Sequence, residues 1–341
     1  MSIKDVARVA GVSTASVSRV LTGSPGVGEK TAKRIRSVME ELGYKPNLGA
    51  RGLVKRQTGN IAIVFSRGSS FILGNPFFSR VLEGIAKVLD QLEYNSLLSF
   101  TSQQQQRLLE TQAVDGIILF APRSGELSLD WLKMTSLPLV VIGSYADESP
   151  LPCVRPDDEG GISLAVRALY DLGHRDIGLV NGPASSMKSQ KCRLGYTRTM
   201  RELGLPYRPE RIYEVSEFDA AKAADAMARP LGAEREVTGL VCAADYMAMG
   251  VVKAAAANGL AVPRDLSVVG FGDVPFAEFF IPSLSTVHTD LLGIGRQATS
   301  ILIDMIRGKQ IRKKERVFPM EYVARMTTAP PASRSLSDGV M

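Results

Sequence analysis

Apolar residues recur along this chain with two different periods. Through the first 45 residues the spacing is helical: Ile3, Val6 and Ala10, then Val17, Val20 and Leu21, then Ile35, Val38 and Leu42. Ser2, with Asp5 three residues on, forms a capping pair for a first helix through Ala10. Gly11-Val12 breaks it, and Ser13 is a natural cap for a second helix to about Leu21. A third helix over roughly 29–42 stops at Gly43. At about 100° per residue, the second helix puts Val17, Val20 and Leu21 on one side and Thr14, Ala15, Ser18, Arg19 and Thr22 on the other. The apolar side can pack on the first helix. The small polar side, with its single arginine, is free to enter a DNA groove, since short side chains allow close approach and an arginine reaches base edges.

From Gly59 onward, short apolar runs alternate with helical patterns. Strands are predicted at 61–66, 96–100, 116–121, 139–143, 177–181, 240–243 and 267–270. Helices are predicted at 79–92, 103–112, 161–172, 191–203, 220–228, 246–258 and 291–306. Such alternation implies an α/β body, with parallel sheets carrying helices on both faces. Its length suits two lobes, and a small ligand would sit between them at the carboxyl ends of strands.

Charge sharpens this division. Residues 1–56 hold 11 Lys and Arg against 4 Asp and Glu, whereas the whole chain holds 41 against 35, so the remaining 285 residues are nearly neutral. One cationic end on a balanced body is expected of a protein that meets a polyanion with that end only. The segment Pro46-Asn47-Leu48-Gly49-Ala50-Arg51-Gly52-Leu53 reads as a weak helix or a flexible linker, because each interior glycine costs roughly 1 kcal/mol against alanine. If it folds on a duplex, Leu53 is an apolar wedge for the minor groove.

These residues carry a specific resemblance. Ile3-Lys4-Asp5-Val6-Ala7, Ala10-Gly11-Val12-Ser13, Val17-Ser18-Arg19-Val20-Leu21 and Gly43-Tyr44-Lys45-Pro46-Asn47 resemble the headpiece of the LacI/GalR family of bacterial transcription regulators. The likeness runs to about residue 328, through Asn75-Pro76-Phe77-Phe78, Gly182-Pro183, Ala244–Gly250 and Val262–Phe271, stretches similar to that family's periplasmic-binding-protein-like effector domain. It implies a helix-turn-helix headpiece at 1–45, a hinge at 46–58, a two-lobed effector and dimerisation region at 59–330 and a short tail at 331–341. It also implies that Thr14, Ala15 and Arg19 meet bases, that Ser2, Ser16, Ser18 and Asn47 touch phosphate or sugar, and that Ala50 and Leu53 belong to the minor-groove hinge.

For the effector, the resemblance points to Phe77, Phe78 and Phe218 as aromatic walls, with core or dimer packing as the rival role, and to Asp245 and Asp273 as hydroxyl acceptors. Helix capping is the rival for Asp245. Two departures stand out. Relatives carry an arginine three residues before the pair here occupied by Gly195-Tyr196; this chain has Cys192, with Lys191 and Arg193 beside it as substitutes. Relatives also carry an aspartate directly after the pair Gly270-Phe271, where this chain has Gly272 and then Asp273. The effector is therefore read as a sugar, sugar acid or sugar phosphate, with Arg67 and Lys188 as slender support for the charged forms.

The remaining features exclude rather than add. Cys153, Cys192 and Cys242 show no metal or redox spacing, and two histidines are few for a zinc or His-based catalytic site. His174 reads as structural, and no cofactor, metal or nucleophile arrangement is indicated. The N-terminus has no apolar stretch of signal-peptide length and no run is long enough to span a bilayer, so a cytoplasmic protein is expected. The tail lacks leucine heptads, which favours a homodimer over a tetramer. The expected role is a repressor of a carbohydrate-use operon that binds a near-palindromic duplex. A solute-binding module without DNA function is the main alternative, and a sugar- or nucleotide-acting enzyme the second.

Overall fold

The computed structural model describes residues 1–22, 25–44, 57–120, 135–144, 151–232 and 235–332. They form two compact units: residues 1–60 with 113–115, and the rest.

Among the described residues the first unit holds three helices: α1 (Ile3–Ala10), α2 (Thr14–Thr22) and α3 (Glu29–Glu41). At the start of α1 the Asp5 carboxylate accepts hydrogen bonds from the Ser2 backbone N–H and hydroxyl, both at 2.9 Å. Gly11 ends α1 at φ 61°, a left-handed turn that favours glycine. Ser13 Oγ accepts from the Ser16 N–H at 3.1 Å and so caps α2. Val6, Ala7, Ala10, Val17, Ile35 and Val38 are buried together, with Val20, Leu21 and Leu42 against them. Asp115 clamps the chain that leads into the body, accepting from the Thr58 N–H (2.6 Å), the Thr58 hydroxyl (2.9 Å) and the Gly59 N–H (2.8 Å).

The second unit has two lobes with separate cores. In the first, β1 (Asn60–Val64), β2 (Asn95–Ser99), β3 (Gly116–Phe120), β4 (Leu139–Ile142), β5 (Cys153–Pro156) and β11 (Glu315–Phe318) form a sheet of order β11-β5-β4-β3-β1-β2. Its register sets Ile61 beside Gly116 and Ile117 beside Leu139, both parallel. The central strands are buried throughout, as expected of parallel strands covered on both faces. Its helices are α4 (Ser69–Gly74), α5 (Pro76–Gln91), α6 (Ser102–Glu110) and α12 (Leu291–Ile306).

The second lobe is the parallel sheet β7-β6-β8-β9, made of β6 (Ile177–Asn181), β7 (Ile212–Glu214), β8 (Gly239–Cys242) and β9 (Ser267–Val269). Helices α7 (Asp158–Asp171), α8 (Met187–Glu202), α9 (Ala220–Met227) and α10 (Asp245–Ala257) flank it, followed by the short α11 (Phe276–Phe279). The chain passes between the two cores three times: after β5, between β10 (Thr286–His288) and α12, and between β11 and β12 (Glu321–Val323), where β12 pairs antiparallel with β10. Several predicted elements sit within a residue or two of those observed. The short strands β5, β7 and β10–β12, three or four residues each, carry too little apolar pattern to be read in advance.

Candidate functional site

On the three-helix unit, packing decides which face of α2 is left outside. Val17 is fully buried and Val20 and Leu21 lean on the same core, so Thr14, Ala15 and Arg19 are exposed on the opposite side, with Ser16 and Ser18 partly covered. Ser2 is exposed at the start of α1. The side chains expected to read bases thus share one face of a helix whose other face closes a core. Asn47, Ala50 and Leu53 lie outside the described residues.

In the two-lobed unit, a cleft of about 130 Å³ opens between the cores. Its character is aromatic: Phe65, Phe71, Phe77, Phe78, Phe120, Phe218 and Phe271 line it, seven of the chain's 12 phenylalanines. Phe65 stacks on Phe120 with centroids 4.8 Å apart, and Phe78 meets Phe120 edge-on at 5.4 Å, so the first-lobe wall is a single packed block. The expected Phe77 and Phe78 enter from the start of α5. Asn75 caps that helix by accepting from the Phe77 N–H at 3.1 Å, and Pro76 fills its first position. The Asn75 amide also donates to the Phe218 carbonyl of the other lobe (3.3 Å), and Arg67 meets Glu217 across the cleft at 3.4 Å.

The polar centre of the cleft is an ion pair. Lys188, in the first turn of α8, places Nζ 3.0 Å from Asp158 Oδ1, in the first turn of α7, and 3.8 Å from the centre of the Phe271 ring. The Asp158 side chain is only 1% exposed, and its second oxygen accepts from the Ser144 hydroxyl at 2.8 Å. Burial lowers the Lys188 pKa, but the adjoining Asp158 carboxylate, with Cys192 and Asp245 beside it, outweighs this and holds it above the ordinary lysine value. Asp245, at the start of α10, lines the second-lobe side of the cleft as well. Its carboxylate accepts from the Val274 N–H at 2.8 Å and from the Thr286 hydroxyl, and burial pushes its pKa up to about 6. It does not cap α10 with its side chain.

Four expected residues lie elsewhere. Cys192 is sealed in the second-lobe core, where burial pushes its thiol up to about 12. Arg193 is exposed and paired with Glu214, and Lys191 does not reach the cleft wall. Neighbours on a helix point about 100° apart, so neither flanking residue can take the place of position 192. Lys188, four residues earlier, shares its face. Asp273 also turns away from the cleft. It adopts φ 54° and its carboxylate is held by Arg325 (2.7 Å) and His288 (3.0 Å). Asp158, Ser144, Phe65, Phe71, Phe120 and Phe271 were not anticipated as cleft residues. A signal for the pair existed, since extending α7 and α8 by one turn each would have placed Asp158 and Lys188 on inward faces.

His174 is buried among Thr238, Ser267 and the Ala329 carbonyl, as a structural histidine would be. Among the described residues, no group of three His, Cys, Asp or Glu side chains is placed to hold a metal, and no helix is long and apolar enough to cross a membrane.

Residues 2–47 match the family model of bacterial regulatory proteins of the lacI family, and residues 166–328 match that of the periplasmic binding protein-like domain. The chain is 32% identical over 312 residues to catabolite control protein A of Priestia megaterium, covering 89% of this chain and 91% of that one. Among solved structures it is similar to the lac repressor dimer bound to operator and the anti-inducer ONPF, with TM-score 0.85, 27% identity and coverage of 96% and 99%. It is also similar to a complex of the transcriptional regulator CelR with cellobiose, with TM-score 0.74, 25% identity and the same coverage.

Proposed function

The chain belongs to the lacI family of bacterial regulatory proteins, and from that premise we propose that it is a cytoplasmic repressor of a carbohydrate-use operon whose grip on a near-palindromic operator is set by a small sugar-like effector. The observation that carries this is the outward face of α2. Thr14, Ala15 and Arg19 are exposed on a helix anchored by Val17, within the 56-residue end that holds 11 Lys and Arg against 4 Asp and Glu. Residues 1–45 act as the headpiece, 46–58 as the hinge and 59–330 as the effector-binding and dimerisation region. Two headpieces of a homodimer read two half-sites related by the protein's two-fold axis.

Phosphate contacts supply most of the affinity, from Ser2, Ser16, Ser18 and the basic residues around them. Arg19, with Thr14 and Ala15, supplies discrimination in the major groove. The effector occupies the cleft between the lobes, prefers one lobe arrangement over another and so shifts the operator-binding population. The cleft is assigned binding rather than catalysis. Similarity to the lac repressor dimer on operator and to the cellobiose complex supports both halves of this reading.

Fluorescence anisotropy with duplexes from upstream of the gene tests it, with and without candidate sugars. Arg19→Ala should weaken operator binding by about 10- to 100-fold, the value of one good base contact, and leave binding to random duplex nearly unchanged. Equal losses on both duplexes would make Arg19 a phosphate anchor. No preference for any upstream fragment over random duplex would overturn the proposal.

A further inference from the structure

The charges of the cleft specify more than a sugar-like ligand. Among the described residues that line it, the two cations already have acidic partners: Arg67 has Glu217 at 3.4 Å, and Lys188 has Asp158 at 3.0 Å. Asp245 also lines the cleft, so among the described lining residues two carboxylates match the two cations, and Glu217 stands beside Arg67 as a further acid. Lys188 is held from two sides, by Asp158 at its tip and by the Phe271 ring beneath it. Asp158 is almost sealed, and Ser144 satisfies its other oxygen.

A carboxylate or phosphate entering this space would lose its water against phenylalanine walls. It could accept a spare N–H of Lys188 only beside the Asp158 carboxylate, whose like charge opposes it where burial weakens screening. Drawing Lys188 off Asp158 would leave a buried carboxylate uncompensated. An uncharged polyol meets neither obstacle. The ammonium has three N–H donors and spends one on Asp158, and a carboxylate has lone pairs to spare for incoming hydroxyls. The C–H face of a ring packs on the aromatic block.

Taking the cleft as the effector site, we propose that the effector is an uncharged, hydroxyl-bearing ring compound, and that the Asp158-bound Lys188 is the specificity-determining group that excludes sugar acids and sugar phosphates.

Isothermal titration and thermal shift on the full chain test this with matched sets: glucose, gluconate and glucose 6-phosphate; galactose, galactonate and galactose 6-phosphate; cellobiose and cellobionate; maltose and maltobionate. Inorganic phosphate is added at constant ionic strength. A neutral member should bind at least 100-fold more tightly than its charged counterparts, and inorganic phosphate should not protect the wild-type chain. Asp158→Asn frees the Lys188 charge, so inorganic phosphate should then protect in a saturable way while the neutral ligand weakens about tenfold. Should that variant fail to fold, the wild-type ranking decides by itself. A charged member that binds the wild type as well as its neutral counterpart, or silence from every neutral member, overturns the proposal. Operator binding is read in parallel. A charged sugar that releases operator would sink this inference and leave the effector site standing, whereas a sugar that binds without changing operator affinity would sink the effector reading.

Discussion

Position 192 shows how much one residue's setting decides. A cysteine where the family resemblance implies arginine suggests, read as sequence, that a basic neighbour at 191 or 193 takes over. Helical geometry forbids that and gives the place to Lys188, which shares the face of Cys192 and reaches past the buried thiol to Asp158. Asp245 makes a comparable point through its proton. Its carboxyl titrates near pH 6 in the folded protein against an ordinary value of 3.8, because burial disfavours the charge. Between those values the folded state holds a proton that the unfolded state has lost, so this group adds stability as pH falls through about 6 toward 4. Asp245→Asn cannot take up that proton. The melting temperature of the wild type minus that of Asp245→Asn should therefore rise on acidification from pH 7 to about 4, at roughly 2–4 °C per kcal/mol. A constant difference would show that the carboxyl is ionised throughout.

At the scale of elements, hydrophobic periodicity located most helices and long strands but lost the first turns of α5, α7 and α8. α7 was expected from Gly161 and begins at Asp158; α8 was expected from Lys191 and begins at Met187. First turns are polar because they bear caps and unpaired N–H groups, so an apolar pattern starts late. Here those lost turns carry both halves of the Lys188–Asp158 pair. The crossing of α5 and α12 is also invisible in the pattern. A Cβ at Gly84 would lie 2.1 Å from the Leu292 carbonyl oxygen, and one at Gly295 would lie 2.1 Å from that of Val81. The two backbones touch, and only hydrogen fits between them. Gly84→Ala should cost about 1–3 kcal/mol or more by overpacking, read as a lower denaturant midpoint. An unchanged midpoint would mean the helices part freely.

For the whole molecule, the unequal spread of charge and the coupling of sites carry the expectations. With the excess positive charge in residues 1–56, operator affinity should fall on the order of 10³-fold between about 50 and 200 mM salt. Effector affinity should barely respond to salt, because the cleft charges are paired or buried. Linkage makes the coupling reciprocal. If the effector weakens operator binding by some factor, saturating operator must weaken effector binding by the same factor, measured by titrating the protein–operator complex. Unequal factors would mean that more than these two sites take part. The sequence by itself determined the headpiece, the alternating α/β body and the outward face of α2, since each follows from local periodicity, caps and charge along a short stretch. Tertiary structure alone decided which side chains share the cleft. Phe65, Ser144, Asp158, Lys188 and Phe271 are far apart along the chain, and they meet because the chain passes three times between two cores. Linear spacing carries no record of such a meeting.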